Sequence, residues 1–242
     1  MLLSYNLINT AACSKLTRCA RSRAAFPNKR VRALSLEGQL ALFSSEEQWA
    51  NFWIRRVGWQ PSWAARRIAE TCKSTSLIAD IGGAHGRDSF WLRANGFKAV
   101  LLEPNDYSLK MAFQRGKELG THVDIVRAAL PCLPVLDKCF NAIDFYWGLH
   151  SYPDEEKLGA LMEINRVMAD GGLLFSASFR SWSGHSVPPS IHLVPNKEDF
   201  IAWHEKAGFR TLKVKEMADE TYSFEKSWLG EFQAVKKNEK IW

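Results

Sequence analysis

The sequence predicts an α/β protein built on a doubly wound, mostly parallel sheet, and three observations predict it. The stretch Leu77-Ile-Ala-Asp-Ile-Gly-Gly-Ala-His-Gly-Arg-Asp-Ser-Phe-Trp-Leu92 passes from a short apolar run through glycines into helical spacing. That is the order strand, tight turn, helix. Lys98-Ala-Val-Leu-Leu-Glu103 then gives a second continuous apolar run, the pattern of a strand buried on both faces of a parallel sheet. Finally, 242 residues at 46% hydrophobic and 24% charged content fit one soluble domain with a full core.

The glycine turn points to a ligand. Gly82, Gly83 and Gly86 let the backbone turn sharply and approach another molecule without Cβ obstruction. The helix that follows begins near Gly86, so its free N–H groups and positive dipole end face the turn. Glu103 closes the second strand about twenty residues further on, where a parallel βαβ unit sets a carboxylate against ribose hydroxyls. The dinucleotide fingerprint G-x-G-x-x-G is not met by Gly82-Gly-Ala-His-Gly86.

The spelling Asp80-x-Gly82-x-x-x-Gly86 resembles instead the first motif of class I S-adenosylmethionine (SAM)-dependent methyltransferases. Its continuation to Gly96 is similar to the small-molecule branch of that family, including tellurite-resistance-type enzymes. Phe140-Asn-Ala-Ile-Asp-Phe-Tyr-Trp-Gly-Leu-His150 and Leu161-Met-Glu-Ile-Asn-Arg-Val-Met-Ala-Asp-Gly-Gly-Leu-Leu-Phe175 resemble the family's fourth strand, the helix after it and its fifth strand. The likeness runs over roughly residues 45 to 237. It implies a Rossmann-like sheet of seven strands with an antiparallel last strand and amino-terminal lid helices. It also implies SAM as cofactor and methyl transfer by direct displacement to a small-molecule acceptor.

Charge is distributed unevenly. Of 32 cations and 26 acids, seven cations and no acid fall in residues 1–36, which leaves the remainder with a net charge of −1. A neutral body argues against a broad phosphate-tracking face and so against nucleic acid as partner. The basic, Ser- and Arg-rich segment 1–36 reads either as an extension of the domain at 37–242 or as an organelle-targeting leader, mitochondrial or other. The default compartment is cytoplasmic. No run approaches the ~18 apolar residues of a membrane span. Five cysteines without a C-x-x-C pair fit neither a disulfide framework nor a zinc site.

Taken in order, residues 37–43 suggest a short amphipathic helix. Ser44-Ser-Glu-Glu-Gln48 offers capping-box spacing for a helix with Trp49, Phe52, Trp53 and Val57 on its apolar face. Pro61 suits the first turn of a second helix reaching Cys72. The cluster Trp49, Trp53, Trp59 and Trp63 reads as core stripe or as lid over the cofactor, and different tryptophans can serve each. Further elements are expected at 106–119 (helix), 122–127 (strand), 141–147 (strand), 154–168 (helix) and 173–179 (strand). A functional loop at 180–195 precedes a helix capped by Asn196 and two strands at 209–217 and 228–237.

The resemblance assigns roles. Asp80, Gly82, Gly83 and Gly86 surround the methionine moiety, with Asp80 alternatively a brace for the turn. Glu103 holds the ribose, and Asn105 flanks the adenine. The acid usual after the third strand is missing, so backbone groups of Ala129 and Leu130 take the adenine edge. Tyr146 and Trp147 offer carbonyls to the cofactor's ammonium group. His150 is the candidate general base or else a residue lining the pocket, since an unperturbed imidazole titrates near ~6.5. His185 and His192 stand behind it, and His85 packs on cofactor. These histidines lack metal-ligand spacing, and the oligomeric state is not written in any motif. Two other readings share the cofactor half: an RNA or protein methyltransferase using the basic segment, and a non-catalytic SAM-fold binding protein.

Overall fold

A computed structural model describes residues 45–182, 191–218 and 225–235. The basic segment 1–36, the expected helix over 37–43, and His185 with the centre of the expected 180–195 loop lie outside the described residues. The elements are α1 (Glu46–Val57), α2 (Trp63–Thr71), β1 (Leu77–Ile81), α3 (Arg87–Ala94), β2 (Lys98–Glu103), α4 (Asp106–Leu119) and β3 (Asp124–Arg127). They continue with β4 (Phe140–Phe145), a 3-10 turn (Leu149–Ser151), α5 (Asp154–Val167), β5 (Met168–Trp182), α6 (Lys197–Lys206), β6 (Phe209–Ala218) and β7 (Glu225–Ala234). Among the described residues no helix is long and apolar enough to cross a membrane.

The seven strands form one sheet in the order β3-β2-β1-β4-β5-β7-β6. Pairings from β3 through β5 are parallel, and β7 runs antiparallel to both β5 and β6. The last strand in sequence is thus the antiparallel one, and it lies inside the sheet. Helices cover both faces. On one face Ile78, Ala99, Ala142 and Phe175 pack with Ala64, Ala65 and Ile68 of α2 and Leu92 of α3. Leu101 packs there with Phe90 and with Ala112 of α4. On the other, Ile143, Phe145 and Leu174 meet Leu161 and Ile164 of α5 and Phe200 of α6. The winding reverses between β1 and β4, and the crevice at the carboxyl ends of those strands is the ligand position of such folds.

Several boundaries differ from the sequence expectation, each for a local reason. Ser62, not Pro61, starts α2: its Oγ accepts the Ala65 N–H (3.1 Å), and Pro61 lies outside the helix. β4 ends at Phe145 because Trp147 takes a left-handed backbone conformation (φ 58°) and the chain turns into the 149–151 segment. His150 therefore sits on that 3-10 turn. The third strand starts at Asp124 and the 154–168 helix stops at Val167. β5 begins at Met168, since the pairing with β4 shifts register between Phe140 and Ala142 and carries Gly171 and Gly172 inside the strand as a bulge. β7 begins three residues earlier than the hydrophobic pattern suggests and ends at Ala234.

Candidate cofactor and acceptor site

The turn after β1 is held by Asp80. Its Oδ2 accepts the backbone N–H (3.1 Å) and the hydroxyl (2.7 Å) of Ser89 in the first turn of α3, so the carboxylate satisfies a helix end that would otherwise lack partners. The turn lies so close above this carboxylate that a Cβ on Gly83 would come within 2.4 Å of it. Gly82 (φ 70°) and Gly86 (φ 79°) adopt the left-handed conformation that favours glycine, and beside Gly82 there is open space. Asp80 therefore braces the turn, the second of its two expected roles.

Glu103 is buried at the end of β2. Its Oε2 accepts the Ala84 N–H and its Oε1 the Asn105 N–H, both at 2.9 Å, tying the glycine turn to the start of α4. An ionised carboxylate has about four lone-pair sites, so each oxygen retains capacity for a hydroxyl. Asn105 caps α4, its Oδ1 accepting the Ser108 N–H (2.8 Å). The Ala128 N–H donates to the Glu103 carbonyl (3.1 Å), which sets the tight Ala129–Cys132 turn, with Leu130 buried, beside the end of β2.

The start of α1 and the turn after it contact this end of the sheet. A Glu46 carboxylate oxygen accepts the Tyr107 N–H (3.3 Å), and the Glu46 carbonyl accepts from Asn105 Nδ2 (3.4 Å). Beyond α1, His85 Nε2 lies 3.3 Å from the Gly58 carbonyl and the His85 ring meets Trp59 edge-on. Trp59 is 41% exposed, whereas Trp63 is packed against the core and Phe175. Of the expected cluster, Trp63 thus belongs to the core and Trp59 to the surface beside His85.

Past the end of β4 stands an aromatic wall. Trp147 lies 4.7 Å from Tyr146 and 5.0 Å from Phe179 between ring centroids, and its Nε1–H donates to Ser227 Oγ (3.2 Å). His150 stacks on Phe179 at 4.1 Å and is buried. Burial, with Lys157 and His192 nearby, pushes its pKa down to about 3. His150 is therefore neutral at physiological pH but a weak base, which counts against the general-base reading. His192 meets His150 through the backbone, its N–H donating to the His150 carbonyl (2.8 Å).

Three acids and one cation lie beneath the turn. Asp144 pairs in register with Asp80 across β1 and β4, so both side chains point to the face of α2 and α3. Asp144 Oδ1 accepts the Tyr146 N–H (3.2 Å), while the buried Oδ2 has no hydrogen-bond partner. Asp88 accepts from the Ser62 N–H (2.7 Å) and the Arg87 guanidinium (2.9 Å). Arg87 in turn sits 5.8 Å over the Tyr146 ring. Arg87, Asp88, Asp144 and Phe179 were not among the expected site residues. For Asp144 the sequence signal is an acid inside the otherwise apolar Ala142-Ile-Asp-Phe145.

These environments fix how stability depends on pH. Burial raises Glu103 to about 7 from an ordinary 4.5. Its contribution is complete below the ordinary value and disappears as the pH rises through about 7. Asp80 is shifted the same way by burial and by Asp88. Burial acts oppositely on histidines, lowering His150 and His204 to about 3 and His85 to about 4 from 6.5. Their contribution is complete above the ordinary value and is lost as the pH falls through the folded one. The ligand-free protein should therefore be most stable between roughly pH 5 and 6.5, with a thermal midpoint that declines on both sides. A midpoint rising steadily to about pH 8 would contradict this assignment.

A glycine turn at the switch point of a doubly wound sheet, with a buried acid ending the neighbouring strand, defines a nucleoside-cofactor site. A family model described as a methyltransferase domain matches residues 78–172, which contain the turn, Glu103, Asp144 and the aromatic residues after β4. The ubiquinone/menaquinone biosynthesis C-methyltransferase of Brucella anthropi is 27% identical over 188 residues, 64% of this chain and 70% of that protein. The Burkholderia thailandensis 1,6-didemethyltoxoflavin-N1-methyltransferase, solved with 1,6-didemethyltoxoflavin and S-adenosylhomocysteine, has a TM-score of 0.66 and 12% identity. That match covers 89% of this chain and 93% of that one. A SAM-dependent methyltransferase from Methanosarcina mazei has a TM-score of 0.64 at 15% identity, covering 74% of this chain and all of that one. At such identities the structural likeness establishes the fold. The family match and the sequence relatives give the chain a methyltransferase domain, built on the fold of class I SAM-dependent methyltransferases.

Proposed function

We propose that the protein methylates a small, flat, conjugated-ring acceptor whose own nucleophilicity, rather than a protein base, drives attack. The observation that supports this most strongly is the half-buried pair Tyr146 and Trp147, backed by buried Phe179 with His150 stacked on it and held neutral. Offset and edge contacts favour a planar ligand against such a surface. The names of the relatives agree with a ring acceptor, a quinone-type product in one case and a toxoflavin precursor in the other.

Bound SAM supplies an electrophilic methyl group that passes to the acceptor by direct displacement, leaving S-adenosylhomocysteine. In this reading Gly82, Gly83 and Gly86 give the methionine moiety a passage free of side chains. Glu103 accepts from the ribose hydroxyls through its remaining lone pairs, and Asn105 flanks the adenine. Backbone groups of Ala129 and Leu130 face the adenine edge, and the Tyr146 and Trp147 carbonyls accept from the ammonium group. The lid contacts of Glu46 and His85 exclude water, and alignment against the wall does most of the catalytic work.

The test incubates the full-length protein with SAM and, separately, a hydroquinone, a heteroaromatic N–H compound, a small thiol and an RNA oligonucleotide, reading S-adenosylhomocysteine formation. Turnover of the ring compounds is expected. Turnover confined to RNA would overturn the reading. For His150→Phe, kcat should fall less than about tenfold while KM for the acceptor rises, because general bases typically contribute ~10²–10⁴. A kcat loss in that larger range, with loss of a pH limb, would instead make His150 the base.

A further inference from the structure

We propose that Asp144 senses the charge of the bound cofactor, favouring the cationic sulfonium of SAM over the neutral thioether of S-adenosylhomocysteine and so promoting product exchange. The inference rests on the assignment of SAM to the crevice at the ends of β1 and β4. Three side chains there, Asp80, Asp88 and Asp144, are at most 5% exposed. Asp80 is satisfied by Ser89, and Asp88 by Ser62 and Arg87. Asp144 differs, because its Oδ2 is buried with no hydrogen-bond partner. A buried carboxylate left this way is costly unless a proton or a positive charge joins it.

Charge around Asp144 is one-sided. From β1 it faces Asp80 and from α3 Asp88, with Arg87 as the nearby cation. Tyr146 gives it one backbone N–H. Arg67 of α2 is committed to Glu231 and Glu70. Burial and the two aspartates hold the Asp144 carboxyl well above the usual carboxylate range. A cation delivered to the crevice supplies what the cluster lacks, and loss of that charge on methyl transfer withdraws it. Nothing in this arrangement rewards the neutral product, so the cluster discriminates between the two ends of the reaction.

The experiment is calorimetric titration of the full-length protein with SAM, with S-adenosylhomocysteine, and with sinefungin, which carries an amine cation near the sulfonium position. Wild type should bind SAM and sinefungin on the order of tenfold more tightly than S-adenosylhomocysteine, what one partly screened charge pair provides across a low-dielectric gap. Repeating the titrations in buffers of different ionisation enthalpy should show proton release with the two cations and less with the thioether. In Asp144→Asn the preference should collapse to within about twofold, chiefly through weaker cation binding. Equal wild-type affinities with equal proton release would overturn the proposal, whatever the variant does. An unchanged preference in a folded Asp144→Asn protein would also overturn it, leaving Asp144 a structural residue. Failure of wild type to bind any of the three would instead remove the SAM assignment.

Discussion

Gly83→Ala should weaken SAM binding on the order of 100-fold, the upper end of what a forced steric clash costs. The added Cβ would lie 2.4 Å from the Asp80 carboxylate, a distance that real Cβ atoms do not show. Neither partner can yield cheaply. Asp80 is held by two hydrogen bonds from Ser89, and the glycine turn is fixed on its other side by the bond from Ala84 to Glu103. The turn must lift away from the strand, which moves the backbone the cofactor needs. Titration calorimetry checks this, and wild-type affinity in a folded Gly83→Ala protein would mean that the cofactor does not cross this turn. Gly82→Ala is the control for conformational strain alone: its backbone is left-handed (φ 70°), which that of Gly83 is not, and nothing lies within 4 Å of its Cβ. Its loss should be the smaller.

Glu103→Gln should cost a comparable factor in SAM affinity and lower the thermal midpoint at pH 6. The carboxylate accepts from Ala84 and from Asn105, and an amide can accept at only one of its two ends. One backbone N–H then faces an NH₂ group in a buried site, a penalty of about 1–3 kcal/mol. The pH dependence separates this from a general loss of packing. Because Glu103 holds its proton up to about 7 in the folded state, the variant should lose part of the wild-type decline in midpoint between pH 6 and 8. A variant with the same alkaline decline as wild type would show that another group, Asp80 foremost, carries that linkage.

Local patterns made much of the fold legible. The bounds of β1 (77–81), β2 (98–103) and α4 (106–119) could be read directly, because each is a clean apolar run or helical repeat bounded by a glycine or a capping residue. Ser45 caps α1 through the Gln48 N–H, within the stretch 44–48 whose spacing suggests a capping box. What escaped was non-local. The extent of β5 depends on a register shift against Phe140, and the end of β4 on a left-handed Trp147 that no residue type announces. The glycine turn and Glu103 were legible because backbone chemistry limits what can stand there. The Asp80–Asp144 neighbourhood was not, since 64 residues separate two acids that only the pairing of β1 with β4 brings side by side. His150 was placed near the right strand end, but its base strength is set by burial, Lys157 and His192, which the sequence does not display.

The position of β7 bears on how the protein comes to be made. Synthesis delivers β1 through β5 first, and these five strands already form a contiguous block that contains the glycine turn, Glu103 and Asp144. The outer edge of that block is β5, fifteen residues long, and its partner is the segment 225–234. β6 emerges earlier than β7 yet cannot join the sheet until β7 is inserted between it and β5. For that interval a nascent chain holds a nearly finished cofactor crevice beside a long unpaired strand edge, the kind of surface that seeks other chains. Expression at lower temperature, or with chaperones that shield strand edges, should therefore raise the yield of soluble protein more than added cofactor does.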